Sequence, residues 1–100
     1  MEKLFLLKPG FEDPTRNTGK YYLCPPCTLI EGLLSIYPNL RKKLEVNYIN
    51  FVKPRKAIID LIGEENQSCP VLILEDGTFI NDPDFIVDYF AKKYGTPYGH

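Results

Sequence analysis

A chain of 100 residues, 44% hydrophobic and 25% charged, suits one soluble domain built on one core. With 12 basic residues against 13 acidic ones the net charge is −1, which excludes the cationic footprint of a nucleic-acid binder; Arg41-Lys42-Lys43 reads as a solvated helix end. No apolar run approaches the roughly 20 residues of a membrane span, and Leu4-Phe5-Leu6-Leu7 is too short for a signal-peptide core, so no membrane partner and a cytoplasmic location are expected.

Residues 4–7 form an unbroken apolar run, the pattern of a short strand buried on both faces. Residues 8–23 turn polar and carry Pro9-Gly10, Asp13-Pro14 and Asn17-Thr18-Gly19, which predicts a long loop. Residues 27–37 then follow helical spacing through Leu29, Ile30, Leu33, Leu34 and Tyr37. Pro25 and Pro26 fit that helix's first turn, and Pro38 ends the pattern. A short helical turn is expected over 39–44 and a strand over 45–51. Pro54 opens a helix carrying Ala57, Ile58, Leu61 and Ile62, stopped by Gly63. After a polar loop over 64–68, residues 70–74 read as a strand, Asp76-Gly77 as a hairpin turn, and 78–80 as the returning strand. Asp82 caps a last helix with Pro83 at its first position, an apolar face of Phe85, Ile86, Tyr89, Phe90 and Tyr94, and Gly95 at its end. The order is β-α-β-α-β-β-α in one α/β domain over 1–96, with a tail over 97–100 that includes the lone His100. The first two strands must be parallel, because a helix separates them.

The chemistry concentrates in Cys24-Pro25-Pro26-Cys27. Two thiols three residues apart at a helix start can form and break one disulfide. If Pro25 is the first helical residue, Cys24 caps the helix, and its sulfur faces unpaired amides that favour the thiolate. Cys24 is then the nucleophile, and Cys27, one turn deeper, the thiol that resolves a mixed disulfide. The residues leave two other readings open: an inert pair on a binding module, or a Zn or Cu(I) site sharing Cys24, Cys27 and Cys69. Such a site is short of ligands, since structural Zn wants four. Cys69 itself reads as a small buried side chain, a second resolving thiol or a third metal ligand.

With those elements and that motif, nearly the whole chain resembles the thioredoxin-like superfamily, whose fold is a four-stranded mixed sheet flanked by helices. Residues 69–80, Cys69-Pro70-Val71-Leu72-Ile73-Leu74-Glu75-Asp76-Gly77-Thr78-Phe79-Ile80, are similar to a stretch of glutaredoxins and of glutathione-transferase N-terminal domains. Residues 84–94 are similar to the helix that follows it there. Cys-Pro-Pro-Cys is closer to the glutaredoxin Cys-Pro-Tyr-Cys than to the thioredoxin Cys-Gly-Pro-Cys. The phrases Leu6-Leu7-Lys8-Pro9-Gly10-Phe11 and Gly63-Glu64-Glu65-Asn66-Gln67-Ser68 also resemble a small bacterial family with this fold and no assigned function.

The resemblance implies a thiol-disulfide oxidoreductase acting on protein or low-molecular-weight disulfides, with no bound cofactor and with glutathione as a potential co-substrate. It implies a cis bond before Pro70, which leaves backbone groups of Cys69 free to pair with an extended substrate. It offers Asp82 for the amino group of a γ-glutamyl moiety, beside the plainer reading of a helix cap. Tyr22, with Tyr21, is a candidate wall of the thiol cleft. Lys20 and Arg16 are candidate charges beside Cys24, or simply solvated loop residues. Three features differ from those families: the loop before the dithiol is longer, the thioredoxin Trp is replaced by Tyr21-Tyr22-Leu23, and Asn81-Asp82-Pro83-Asp84 stands where glutaredoxins carry Gly-Gly-Ser-Asp.

Overall fold

The computed structural model describes the whole chain, Met1–His100. Its elements run β1 (Lys3–Leu7), α1 (Pro25–Ile36), α2 (Pro38–Lys42), β2 (Glu45–Ile49), α3 (Lys56–Ile62), β3 (Val71–Ile73), β4 (Phe79–Ile80) and α4 (Pro83–Tyr94). Four strands form one mixed sheet in the order β2-β1-β3-β4. β1 pairs parallel with β2, Lys3 opposite Glu45 through Leu7 opposite Ile49, and antiparallel with β3, Phe5 opposite Val71. β3 and β4 form the expected hairpin. No helix is long and apolar enough to cross a membrane.

Side-chain alternation along the two central strands divides the core. Leu4, Leu6 and Leu72 face a cluster that includes Cys27, Ile30 and Leu34 of α1 and Ile86 and Phe90 of α4. Phe5, Val71 and Ile73 face the other way and meet Ile58 of α3. Both faces of β1 are therefore covered, which is why it carries no polar residue from Leu4 to Leu7. Complete burial of a Leu, Ile or Phe side chain contributes roughly 1.5–3 kcal/mol. Leu4, Leu6, Ile30, Leu34, Ile86 and Phe90 are the main contributors.

Several boundaries and faces differ from the sequence expectation. Pro38 does not only end α1; it opens α2, where its missing N–H costs nothing. α3 begins at Lys56 rather than Pro54, because Arg55 serves as its N-cap and Pro54 lies outside, after a cis peptide bond. Leu29, Leu61 and Phe85 are exposed, at 58%, 42% and 63%. In each helix the buried stripe is narrower than the apolar pattern: one face meets the core, and the apolar residues flanking it stay in solvent.

Residues 8–23 are folded back on themselves rather than open. Phe11 and Tyr22 form an antiparallel bridge, with the Phe11 and Tyr22 amides each donating to the other's carbonyl at 3.1 and 2.8 Å. Phe11 in turn stacks on Phe51, ring centroids 4.4 Å apart and planes 3° from parallel. This anchors the segment to the connection between β2 and α3.

The topology brings the important connections to one end of the sheet. β1, β2 and β4 all finish there, and β3 starts there. Cys24, Arg55, Cys69-Pro70 and Asp82 lie in those connections or at the first residues beyond them.

Candidate functional site

Cys24 is the N-cap of α1, with extended backbone (φ −86°, ψ 110°) and Pro25 and Pro26 in the first turn behind it. Two prolines lack amide protons, so the first donor available to a capping side chain is the Cys27 N–H. It donates to Cys24 Sγ at 3.3 Å. The Cys24 carbonyl receives the Thr28 amide and hydroxyl, both at 2.9 Å, which fixes the turn. Cys24 Sγ also lies 3.9 Å from the carbonyl oxygen of Cys69, within range of a weak S–H donation.

Cys27 sits one turn deeper and is 3% exposed. Burial, then its hydrogen bond with Cys24, pushes its thiol up to about 12, while a backbone contact from Leu7 pulls the other way. It borders a mostly apolar cavity of about 230 Å³ that also touches Leu7, Pro9, Glu31 and Tyr48. Glu31 is held there by Tyr48 and Arg41, joining α1 to β2 and α2.

Cys69 is partly buried, and the Cys69–Pro70 peptide bond is cis, as the resemblance implies. Burial raises the Cys69 thiol to about 11; the Arg55 guanidinium opposes that rise and the neighbouring Cys24 adds to it. All three cysteines are free thiols. No three His, Cys, Asp or Glu side chains are grouped so as to hold a metal ion.

Arg55 is the residue that sequence reasoning missed. It is only 8% exposed. Its Nε and one terminal nitrogen donate to the Phe51 carbonyl at 3.0 and 2.6 Å, and the other to the Gln67 carbonyl at 2.6 Å. Its guanidinium lies 5.4 Å from the Phe51 ring centroid. No carboxylate pairs with it, so a positive charge is buried beside Cys69 against two carbonyls and an aromatic face. Its local context, Lys53-Pro54-Arg55-Lys56, looks like any exposed cationic turn, and the carbonyls that bury it come from two separate connections.

Asp82 caps α4 as the plainer sequence reading expects: Oδ1 accepts from the Asp84 and Phe85 amides at 2.9 and 3.3 Å. Tyr22 is half-buried within the folded-back segment, where its hydroxyl bonds Thr18 and Arg16 lies over its ring at 5.2 Å. Arg16 also pairs with Asp13 at 3.6 Å. Tyr21, Lys20 and His100 are exposed. The structure thus brings together Cys24, Cys27, Cys69 and Pro70, and engages Arg16 and Tyr22 within the segment that precedes them.

A family model described as "Protein of unknown function (DUF3088)" matches residues 1–98. No curated protein and no solved structure matches the chain.

Proposed function

Because this chain belongs to the DUF3088 family of proteins of unknown function, its activity has to be argued from its own residues, and we propose that it is a thiol-disulfide oxidoreductase on a thioredoxin-like fold. The observation that carries the reading is the Cys27 amide donating to Cys24 Sγ at 3.3 Å, at the N-terminus of a 12-residue helix. A positive helix end and a directed N–H are what a sulfur anion needs to attack a disulfide. The parallel β1-β2 pair, the antiparallel β3-β4 hairpin and the cis Cys69–Pro70 bond, whose Cys69 carbonyl lies 3.9 Å from Cys24 Sγ, support the fold assignment.

The chemistry is a pair of exchanges. The Cys24 thiolate attacks one sulfur of a substrate disulfide, forming a mixed disulfide and releasing the first substrate thiolate. An internal thiolate then attacks Cys24 Sγ, closing a protein disulfide and releasing the second. Two protein thiols are oxidised and one substrate disulfide is reduced. A low-molecular-weight thiol of the glutathione class restores the dithiol. Asp82, beside the exposed Phe85, and the Cys69 backbone are the groups this reading assigns to substrate contact.

The test is reduction of insulin and of a glutathione mixed disulfide by the wild type and by Cys24→Ser. The wild type turns over and the variant does not. Equal, negligible rates from both, together with a Cys24-Cys27 disulfide far more reducing than the glutathione pool, overturn the proposal.

A further inference from the structure

We infer that Cys69 is a second resolving thiol, able to close a Cys24–Cys69 disulfide in competition with Cys27; this deepens the reading above and rests on it. The geometry is the first reason. Cys24 Sγ is 3.9 Å from the Cys69 carbonyl oxygen. A carbonyl oxygen stands about 2.4 Å from its own Cα, which brings Cys24 Sγ within roughly 6 Å of the Cys69 Cα. The Cys69 sulfur turns on that same Cα, so side-chain rotation at Cys69 and Cys24 carries the two sulfurs toward each other. Both side chains pack against the same core cluster.

Charge is the second reason. Arg55 is a nine-tenths-buried cation without a carboxylate partner, and it acts on Cys69. No cation acts comparably on Cys27, which is surrounded by apolar groups and by the two other thiols. A resolving group must reach its thiolate state to attack. Burial raises both thiols, to about 11 at Cys69 and about 12 at Cys27, so Cys69 reaches its thiolate more readily than Cys27. Cys69 is also the more accessible of the two.

The step balances without an added reagent. The Cys69 thiolate attacks Cys24 Sγ of the mixed disulfide, the Cys24–Cys69 bond forms, and the substrate sulfur leaves as a thiolate. Attack by Cys27 on the same Cys24 sulfur later moves the disulfide to Cys24–Cys27 and returns Cys69 as thiolate. The substrate disulfide is the only oxidant.

The experiment uses glutathione disulfide as probe on reduced Cys27→Ala and Cys27→Ala/Cys69→Ser proteins, quenched with N-ethylmaleimide and mapped after trypsin. Cleavage at Lys20, Arg41, Lys56 and Lys92 leaves Cys24 on residues 21–41 and Cys69 on residues 57–92, so their disulfide joins two peptides. The expected result is that Cys27→Ala loses its Cys24 glutathionyl group at least tenfold faster than the double variant and yields the cross-linked peptide pair. Equal lifetimes of the adduct, with no linked pair, overturn the inference while leaving Cys24 as nucleophile. Absence of any glutathionyl group on Cys24 in these variants and in the wild type overturns the oxidoreductase reading itself. Rapid acid quenching of the wild type gives an independent measure: the linked pair appears before the Cys24–Cys27 disulfide dominates, and its absence at every time point counts against Cys69.

Discussion

The Cys27 amide points at the sulfur of Cys24 across 3.3 Å, while the Cys27 sulfur itself is sealed in the core. The same three-residue spacing therefore gives two thiols opposite environments. One caps a helix at the sheet's end; the other is packed among Leu6, Ile30 and Leu34 in the larger cluster.

Alkylation of the reduced protein by iodoacetamide near neutral pH should follow that division. Burial pushes Cys27 up to about 12, so almost none of it is thiolate near neutral pH. Cys69, pushed up to about 11, is also mostly thiol, less completely than Cys27. Cys24 should label first, with Cys69 next and Cys27 last. Fragment-ion mapping of a time course reads the order; Cys27 labelling as quickly as Cys24 would refute the buried placement.

Asp82 allows its two roles to be separated. Asp82→Ala removes the acceptor for the Asp84 and Phe85 amides and should cost about 1 kcal/mol. For a domain of this size that lowers Tm by roughly 4–8 °C. Asp82→Asn keeps a capping oxygen and should melt with the wild type. If the carboxylate also meets a γ-glutamyl amine, Asp82→Asn raises the KM for glutathione several-fold at unchanged stability; an unchanged KM reduces Asp82 to a cap.

What was readable from sequence divides by range of interaction. Strand β1, the α1 start and the Asp76-Gly77 turn depend on neighbours in the chain, and the structure has each in place. The buried face of α1 was legible only in part: Ile30 and Leu34 are inside, but Leu29, one position off that stripe, is in solvent. Arg55 and the Phe11–Phe51 stack could not be found that way. The stack joins residues 40 apart, and Arg55 reaches Gln67 as well as nearby Phe51; nothing in a polar, proline-rich run distinguishes a cation held on carbonyls from one in water. Cys69 fell between, since its chain position identified it but its relation to Arg55 did not.

Glu2 makes stability depend on acid. It is buried, and burial alone would raise its carboxyl; hydrogen bonds from the Tyr89 and Tyr94 hydroxyls and the Lys93 ammonium, 3.1 Å away, outweigh that and hold it below 4.5. A group depressed in the folded state contributes stability above its unfolded value and loses it as pH falls through the folded one. The urea midpoint should therefore drop as pH falls below about 4.5, more steeply than in Glu2→Gln. Parallel pH profiles of the two proteins would mean that Glu2 contributes no linkage.

Arg55→Lys should be far from conservative. A lysine ammonium cannot span the Phe51 and Gln67 carbonyls as the guanidinium does, so at least one buried carbonyl loses its donor. The expected loss is about 1–3 kcal/mol, read as a lower urea midpoint. The charge survives, however, and with it the influence that opposes the rise of the Cys69 thiol. Cys69 in Arg55→Lys should then alkylate at close to the wild-type rate in native buffer, whereas Arg55→Met should slow it several-fold. Equal Cys69 rates in both variants would show that the buried cation serves the carbonyls alone, and a wild-type midpoint for Arg55→Lys would show that the paired carbonyls are not what holds it there.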